Sequence, residues 1–235
     1  MQITYIGHSG FLVELRETLL LFDYYEGSLP QLPLEKQLYV FASHRHPDHF
    51  NPEIFSLAET HENIFFCLSK DIWECRIPKE RRSQTLRLKP GESRDLDSLS
   101  LRTLKSTDEG VAFLVWVEGK TLYHAGDLND WRWPGEPENW NRQMKEHYDN
   151  YVEPLRDMHI DAAFLPLDPR QEAYYSLGFD YFLSLTAKGN KDERIYPMHC
   201  WEDYRIIDQW LTEHPSHPER RRIVPVTGRG QHFIQ

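Results

Sequence analysis

The sequence predicts a mixed α/β chain built as two sheets flanked by helices. Short, β-rich apolar runs crowd both the first quarter and the middle of the chain. Segments with helical spacing are interspersed between them, which suits sheets covered by helices. A third observation, a dense histidine cluster directly behind one apolar run, marks the sheet edge where chemistry is expected. The 235 residues are 40% hydrophobic and 13% aromatic. That is enough core material to bury roughly 70% of the unfolded surface in one domain spanning 1–235.

The elements follow in order. Runs 3–6, 11–15 and 19–22 are strands broken by turns at 7–10 and 16–18. Run 38–42 is a further strand ending at Ser43. Pro52 suits the first turn of a helix over 52–60, with Ile54, Leu57 and Ala58 on one face. Strands follow at 64–68, 85–88, 99–104, 111–117 and 121–124, the last two joined by a turn at Glu118-Gly119. Asn139 is placed to cap a helix on which Trp140, Met144, Tyr148, Tyr151 and Leu155 recur. Strand 162–167, helix 178–187 and strand 195–198 come next. Asp203 then precedes a helix carrying Tyr204, Ile207, Trp210 and Leu211, and strands 223–226 and 231–234 close the chain.

Charge excludes several function classes. Lys and Arg total 27 and Asp and Glu 37, a formal net charge of −10. A long polyanion needs a basic face, so nucleic acid is not the expected partner, and anionic membrane is disfavoured for the same reason. No run approaches the ~20 apolar residues of a membrane span. The opening Met1-Gln2-Ile3-Thr4-Tyr5 has no leader pattern, and Cys67, Cys75 and Cys200 show no C-x-x-C spacing. A reducing, cytoplasmic setting is expected. The run Glu219-Arg220-Arg221-Arg222 is too short to reverse the balance.

Ser43-His44-Arg45-His46-Pro47-Asp48-His49 is the informative stretch. Imidazole and carboxylate are the usual non-thiolate ligands of zinc and related ions. Residues two apart on an extended segment share a face, so His44 and His46 can grip one ion. Pro47 bends the chain, which lets Asp48 and His49 turn toward a second. A plain polar loop would not concentrate imidazoles in this way.

The cluster resembles the H-x-H-x-D-H signature of the metallo-β-lactamase fold hydrolases. The resemblance extends through Tyr123-His124-Ala125-Gly126-Asp127 and Tyr196-Pro197-Met198-His199. With the opening Gly7-His8-Ser9-Gly10-Phe11, these phrases are similar to the branch that includes ascorbate-6-phosphate lactonase. It implies a four-layer αββα sandwich with divalent ions at one edge: two of them, zinc or manganese, with iron(II) also compatible. It further implies that His44 and His46 bind one ion, that Asp48, His49 and His199 bind the other, and that Asp127 bridges.

The chain departs from that pattern by lacking a third imidazole for the first ion. At the expected station it reads Lys105-Ser106-Thr107-Asp108-Glu109-Gly110, which makes Asp108 the candidate replacement. An Asp-for-His exchange hardens the site toward manganese or iron(II). His8 is the alternative rescuer. His124 is a candidate to orient a ligand, whereas His61 is expected at the surface. In Asn129-Asp130-Trp131-Arg132-Trp133, the side chains of Asn129 and Trp131 are candidate pocket contacts. Asp168 is expected near the site, with Arg170 beside it to hold an anionic group. Cys200 is read as structural, and His147, His159, His214, His217 and His232 as solvated.

The expected chemistry is hydrolysis of a small ester, lactone or phosphodiester by water activated between two dications, with Asp48 and Asp127 orienting it. An anionic small molecule is compatible with a locally positive centre. The competing readings are a nuclease or nucleic-acid phosphodiesterase, and a non-catalytic metal- or metabolite-binding protein.

Overall fold

The computed structural model describes residues 1–188 and 193–235. The first half supplies β1 (Gln2–Gly7), β2 (Gly10–Glu14), β3 (Thr18–Phe22), β4 (Gln37–Ala42), β5 (Ile64–Ser69) and β6 (Thr85–Leu88), hydrogen-bonded in that order. The second half supplies β7 (Ser93–Asp95), β8 (Leu99–Lys105), β9 (Val111–Val117), β10 (Lys120–His124), β11 (Ala162–Pro166) and β12 (Arg194–Met198) as a second sheet. The last strand, β13 (His232–Ile234), returns to pair with β1. Among the described residues, three α-helices complete the architecture: α1 (Glu138–Val152), α2 (Leu177–Thr186) and α3 (Arg205–Glu213).

Alternation along the strands explains why two sheets stack. Phe11 and Val13 of β2, and Tyr39 and Phe41 of β4, point into the core shared with the second sheet. Leu12, Leu38 and Val40 point the other way, into a smaller cluster closed by Phe50, Ile54 and Phe55. Both faces of the first sheet are thus covered, which is why its strands read as continuous apolar runs. On the far side of the second sheet, Tyr148, Phe182, Ile207 and Trp210 bring the three helices into the main core. The four-layer mixed sandwich is therefore the observed fold.

Several local expectations are corrected. The segment expected as a helix over 52–60 is a 3₁₀ stretch, Pro52–Glu59, capped by the Asn51 side chain accepting from the Glu53 N–H. It closes on three-residue steps, such as Thr60 N–H to the Leu57 carbonyl. Helix α1 is preceded by Pro137, so Asn139 lies inside its first turn and Leu155 falls beyond its end. Tyr204, not Asp203, occupies the cap position of α3, while Asp203 pairs with the Arg205 guanidinium. Run 223–226 forms a single bridge, Ile223 to Ile195, in place of a strand. His61 is buried, with Nε2 2.7 Å from the Lys36 carbonyl. His214 and His217 pack on Trp210. Among the described residues, no helix is long and apolar enough to cross a membrane.

Strand direction positions the site. β3, β4 and β5 run parallel, and so do β10, β11 and β12. Their carboxyl ends deliver Asp23, Ser43-His44, Asp127, Asp168 and His199 to one edge of the sandwich. The β1–β2 turn carries His8 to the same edge, where the His8 carbonyl accepts the His199 N–H at 3.0 Å.

Candidate metal centre

Two groups of ligand-type side chains form at this edge. His8, Asp48, His49 and His199 make one, and His44, His46, Asp108 and Asp127 the other, with one ligand atom from each residue lying within 4.8 Å of the rest of its group. The two share a carboxylate. Asp127 Oδ1 lies 3.1 Å from His49 Nε2 and 3.5 Å from His199 Nε2, while Oδ2 lies 3.6 Å from His44 Nε2. Asp108 Oδ2 is 3.6 Å from His46 Nδ1, so it occupies the place of a third donor in the His44–His46 group. His8 is not there. Its Nε2 lies 3.4 Å from Asp48 Oδ2, which puts it in the other group and corrects its expected role as a substitute for the absent imidazole.

The local sequence makes this convergence possible. After β4, the chain turns so that the His49 and Phe50 N–H groups both donate to the His46 carbonyl, folding Asp48 and His49 back over the strand end. Gly110 and Gly126 adopt φ of +70° and +52°, and a Cβ on either would collide with Ser43 or His44. Only glycine allows loops 105–110 and 125–127 to press against the histidine cluster.

Buried atoms without hydrogen-bond partners test whether this set suits metal. His8 Nε2, His49 Nε2, His199 Nε2 and Asp127 Oδ1 are all sealed from solvent with no such partner. Leaving four polar atoms unsatisfied in one spot is costly. A cation fits them, because each presents a lone pair once its imidazole is neutral or its carboxyl charged.

The imidazoles are fixed through their other nitrogens. Asp23 Oδ2 lies 2.7 Å from His49 Nδ1, and the same carboxylate accepts from the Ser43 N–H at 2.7 Å and hydroxyl at 2.6 Å. Asp168 Oδ2 lies 3.0 Å from His199 Nδ1, and Ser43 Oγ 3.0 Å from His44 Nδ1. Such outer contacts orient metal-binding histidines. Asp23 escaped the sequence reading. The signal it offered was a lone carboxylate closing the fully apolar run Leu19-Leu20-Leu21-Phe22, one strand over from the histidines.

Without an ion, protons share the site unevenly. Burial, aided by the nearby His49, pushes His44 down to about 4, leaving it neutral and able to coordinate at pH 7. Burial likewise lowers His8 and outweighs Asp48. Burial opposes charge on His49 as well, yet Asp127 and Asp23 reverse it and raise His49 well above the ordinary range. Asp127 is held well below the carboxylate range because its imidazole neighbours outweigh the cost of burial. Burial and the nearby Asp127 raise Asp108.

The remaining expected contacts separate. A cavity of about 430 Å³ opens over the two groups, and Trp131 and Arg170 line it. Asn129 does not. It is buried and donates to Gln171 Oε1 at 2.9 Å, bracing the loop from behind. Arg170 points its Nε and Nη2 edge at Asp168, at 3.0 and 2.6 Å, so its charge is already met and it is not a free anion receptor. Likewise Arg132 pairs with Asp130. His124 is buried, with Nε2 2.9 Å from the Ser9 carbonyl and Nδ1 accepting the Gly126 N–H at 3.1 Å, so it holds the backbone beside Asp127. Cys200 is buried and donates to the Met198 carbonyl.

Comparison with known proteins gives a consistent picture. A family model described as a beta-lactamase superfamily domain matches residues 2–131. A protein of Opitutus terrae named UPF0173 metal-dependent hydrolase is 33% identical over 150 residues, 54% of this chain and 63% of that protein. The match thus spans less than two thirds of that relative. A protein of the same name from Desulforamulus reducens is 28% identical over 231 residues, covering 89% of this chain and 88% of its own. Among solved structures, the metallo-beta-lactamase fold protein YhfI from Bacillus subtilis aligns with a TM-score of 0.64 at 14% identity, covering 99% of this chain and 98% of that one. At that identity the likeness speaks to the fold.

Proposed function

The chain belongs to the beta-lactamase superfamily by its match over residues 2–131, and from that premise we propose that it is a metal-dependent hydrolase of a small ester, lactone or phosphodiester, acting as one domain in the cytoplasm. The observation that carries the reading is the placement of Asp127 between two ligand groups, each facing one of its oxygens.

His44, His46, Asp108 and Asp127 would hold one ion, and His8, Asp48, His49 and His199 the other, with Asp127 shared. The His8 group is nitrogen-rich and suits zinc or iron(II). The Asp108 group is richer in oxygen and suits manganese or iron(II). When bound, such ions polarise an electrophile and lower the pKa of a coordinated water toward ~7. The chain's own residues do the rest. Asp48 lines the cavity with its carboxylate a quarter exposed. That leaves the Asp48 carboxylate within reach of water entering over the site, where it can take a proton. Asp127 fixes the separation of the two groups, and Asp23 and Asp168 hold His49 and His199 in register. Trp131, buried beside His199, narrows the space and excludes water.

The net charge of −10 supports a small substrate over a nucleic acid, which would have to lie across an acidic surface. The test is turnover of simple lactones, carboxylic esters and bis-aryl phosphates by protein loaded with Zn²⁺, Mn²⁺ or Fe²⁺. Activity on at least one class, lost in His46→Ala and Asp127→Ala, is expected. Fully loaded protein inert on all three classes overturns the proposal.

A further inference from the structure

The cavity above the ligand groups has a composition that the hydrolase reading does not explain. Trp131, Trp133, Trp140, Met144 and Trp201 line it, together with Arg170. From this we propose that the outer part of the cavity is a stacking site for a flat, uncharged aromatic group. The substrate class it selects, if the hydrolase reading holds, is an aryl-bearing ester, lactone or phosphodiester.

The indoles are held before any ligand arrives. Trp131 donates from Nε1 to the Asp127 carbonyl at 2.8 Å, tying the aromatic wall to the shared carboxylate's own backbone. Trp133 lies nearly parallel to it, with centroids 6.1 Å apart and planes 9° from each other. The Asn141 side chain clamps both the N–H and the carbonyl of Trp133, each at 3.0 Å, fastening the loop to α1, the helix that also presents Trp140 and Met144. Trp201 arrives from the chain after β12, its Nε1 3.3 Å from Asp168 Oδ2. Trp201 is 45% exposed, which leaves the largest of the side-chain types open to a ligand at the cavity mouth. Immobile aromatic faces bind flat partners with little ordering cost.

Charge chooses between possible occupants. Outside the carboxylates of the ligand groups, Arg170 is the charged lining residue, and Asp168 neutralises it. Its guanidinium sits 4.3 Å from the Trp201 ring centroid, so that face already carries a cation. A quaternary ammonium, the other ligand favoured by tryptophan cages, would find that face already taken by the guanidinium. A carboxylate would find no free partner in Arg170. A neutral aryl group meets neither penalty.

The test begins with binding, which does not depend on turnover. Metal-loaded protein is titrated with benzamide, acetamide and tetramethylammonium by calorimetry and tryptophan fluorescence. Benzamide is expected to bind at least tenfold more tightly than either of the others. Trp133→Ala and Trp140→Ala should each weaken benzamide fivefold or more, with metal content and acetamide binding unchanged. If an alanine variant does not fold, Trp140→Leu keeps the bulk and removes the aromatic face, and the same loss is expected. Equal affinity for benzamide and acetamide, tighter binding of tetramethylammonium, or undiminished benzamide binding in the variants overturns the proposal. Selective benzamide binding without hydrolysis of phenyl or methyl acetate upholds the stacking site and counts against the hydrolase reading alone. Hydrolysis of both esters at equal kcat/KM overturns the stacking site and leaves the hydrolase reading standing.

Discussion

Asp23→Asn is the sharpest perturbation of the site, because it keeps the side chain's shape while removing its charge and moving a proton. Asp23 Oδ1 accepts the Ser43 N–H, and Oδ2 faces both the Ser43 hydroxyl and His49 Nδ1. The Ser43 N–H can only donate, so the oxygen of an asparagine must stay on it. The new amide N–H₂ then faces His49 Nδ1. To accept that bond, the imidazole must carry its proton on Nε2, the atom that otherwise faces Asp127 Oδ1 at 3.1 Å. A protonated Nε2 cannot coordinate. The opposite amide orientation puts two donors face to face at Ser43. Losing an outer partner of a metal-bound histidine costs 10–100-fold in affinity, or about 1.4–2.8 kcal/mol. The metal-free fold should lose a further ~2 kcal/mol from the charge-assisted bonds, and therefore about 4–8 °C in Tm for a chain of this size. Competition with a chromophoric chelator reads the first quantity and calorimetry of chelated protein the second. Metal affinity within twofold of the parent would show that Asp23 does not set the His49 tautomer, whatever happens to stability.

Other outcomes follow from the same geometry. Asp108→Ala should remove the ion of the His44–His46 group and keep the other, whereas Asp108→His should shift preference from manganese toward zinc, both read by elemental analysis after equal loading. Gly126→Ala places a Cβ 2.6 Å from the Ser43 Cβ on a left-handed backbone. It should lower Tm and metal content together, because the loop bearing Asp127 must move. Burial favours protonation of Asp168, but bonds from His199 and Arg170 outweigh it and hold the group at about 2. A depressed carboxyl stabilises the fold above its unfolded pKa of ~3.9, and that contribution fades as pH falls through ~2, about 2 kcal/mol in all. Urea denaturation of metal-free protein between pH 5 and pH 2 should show that slope, and Asp168→Asn should flatten it. Chelation should lower Tm, and ions at a hundredfold above Kd should restore ~2.7 kcal/mol per site.

Much of this was legible in the sequence for physical reasons. The strands were readable because both faces of the first sheet are buried, which leaves unmistakable apolar runs such as Leu38–Ala42's Tyr39-Val40-Phe41 core. The histidine cluster was readable because coordination by neighbouring ligands leaves a local pattern. What depended on distant contact was not. Asp23 is 26 residues from His49 and has no motif of its own. His8 meets His199 only because β1 and β12 end at the same edge. The sequence Asp168-Pro169-Arg170 allows both a free Arg170 that binds an anion and an Asp–Arg pair that fixes the turn, and the pair is what forms. The 3₁₀ stretch at Pro52–Glu59 differs from an α-helix by one residue per hydrogen bond, a distinction that apolar spacing over eight residues does not resolve.

The proposed function stands on Asp127 joining two ligand groups that would hold two ions. Elemental analysis of protein purified without chelator, alongside Asp108→Ala and Asp127→Ala, tests it most directly. The prediction is two divalent ions per chain, one in Asp108→Ala, and fewer than one in Asp127→Ala. A single ion in the parent protein, retained in full by Asp127→Ala, would contradict it.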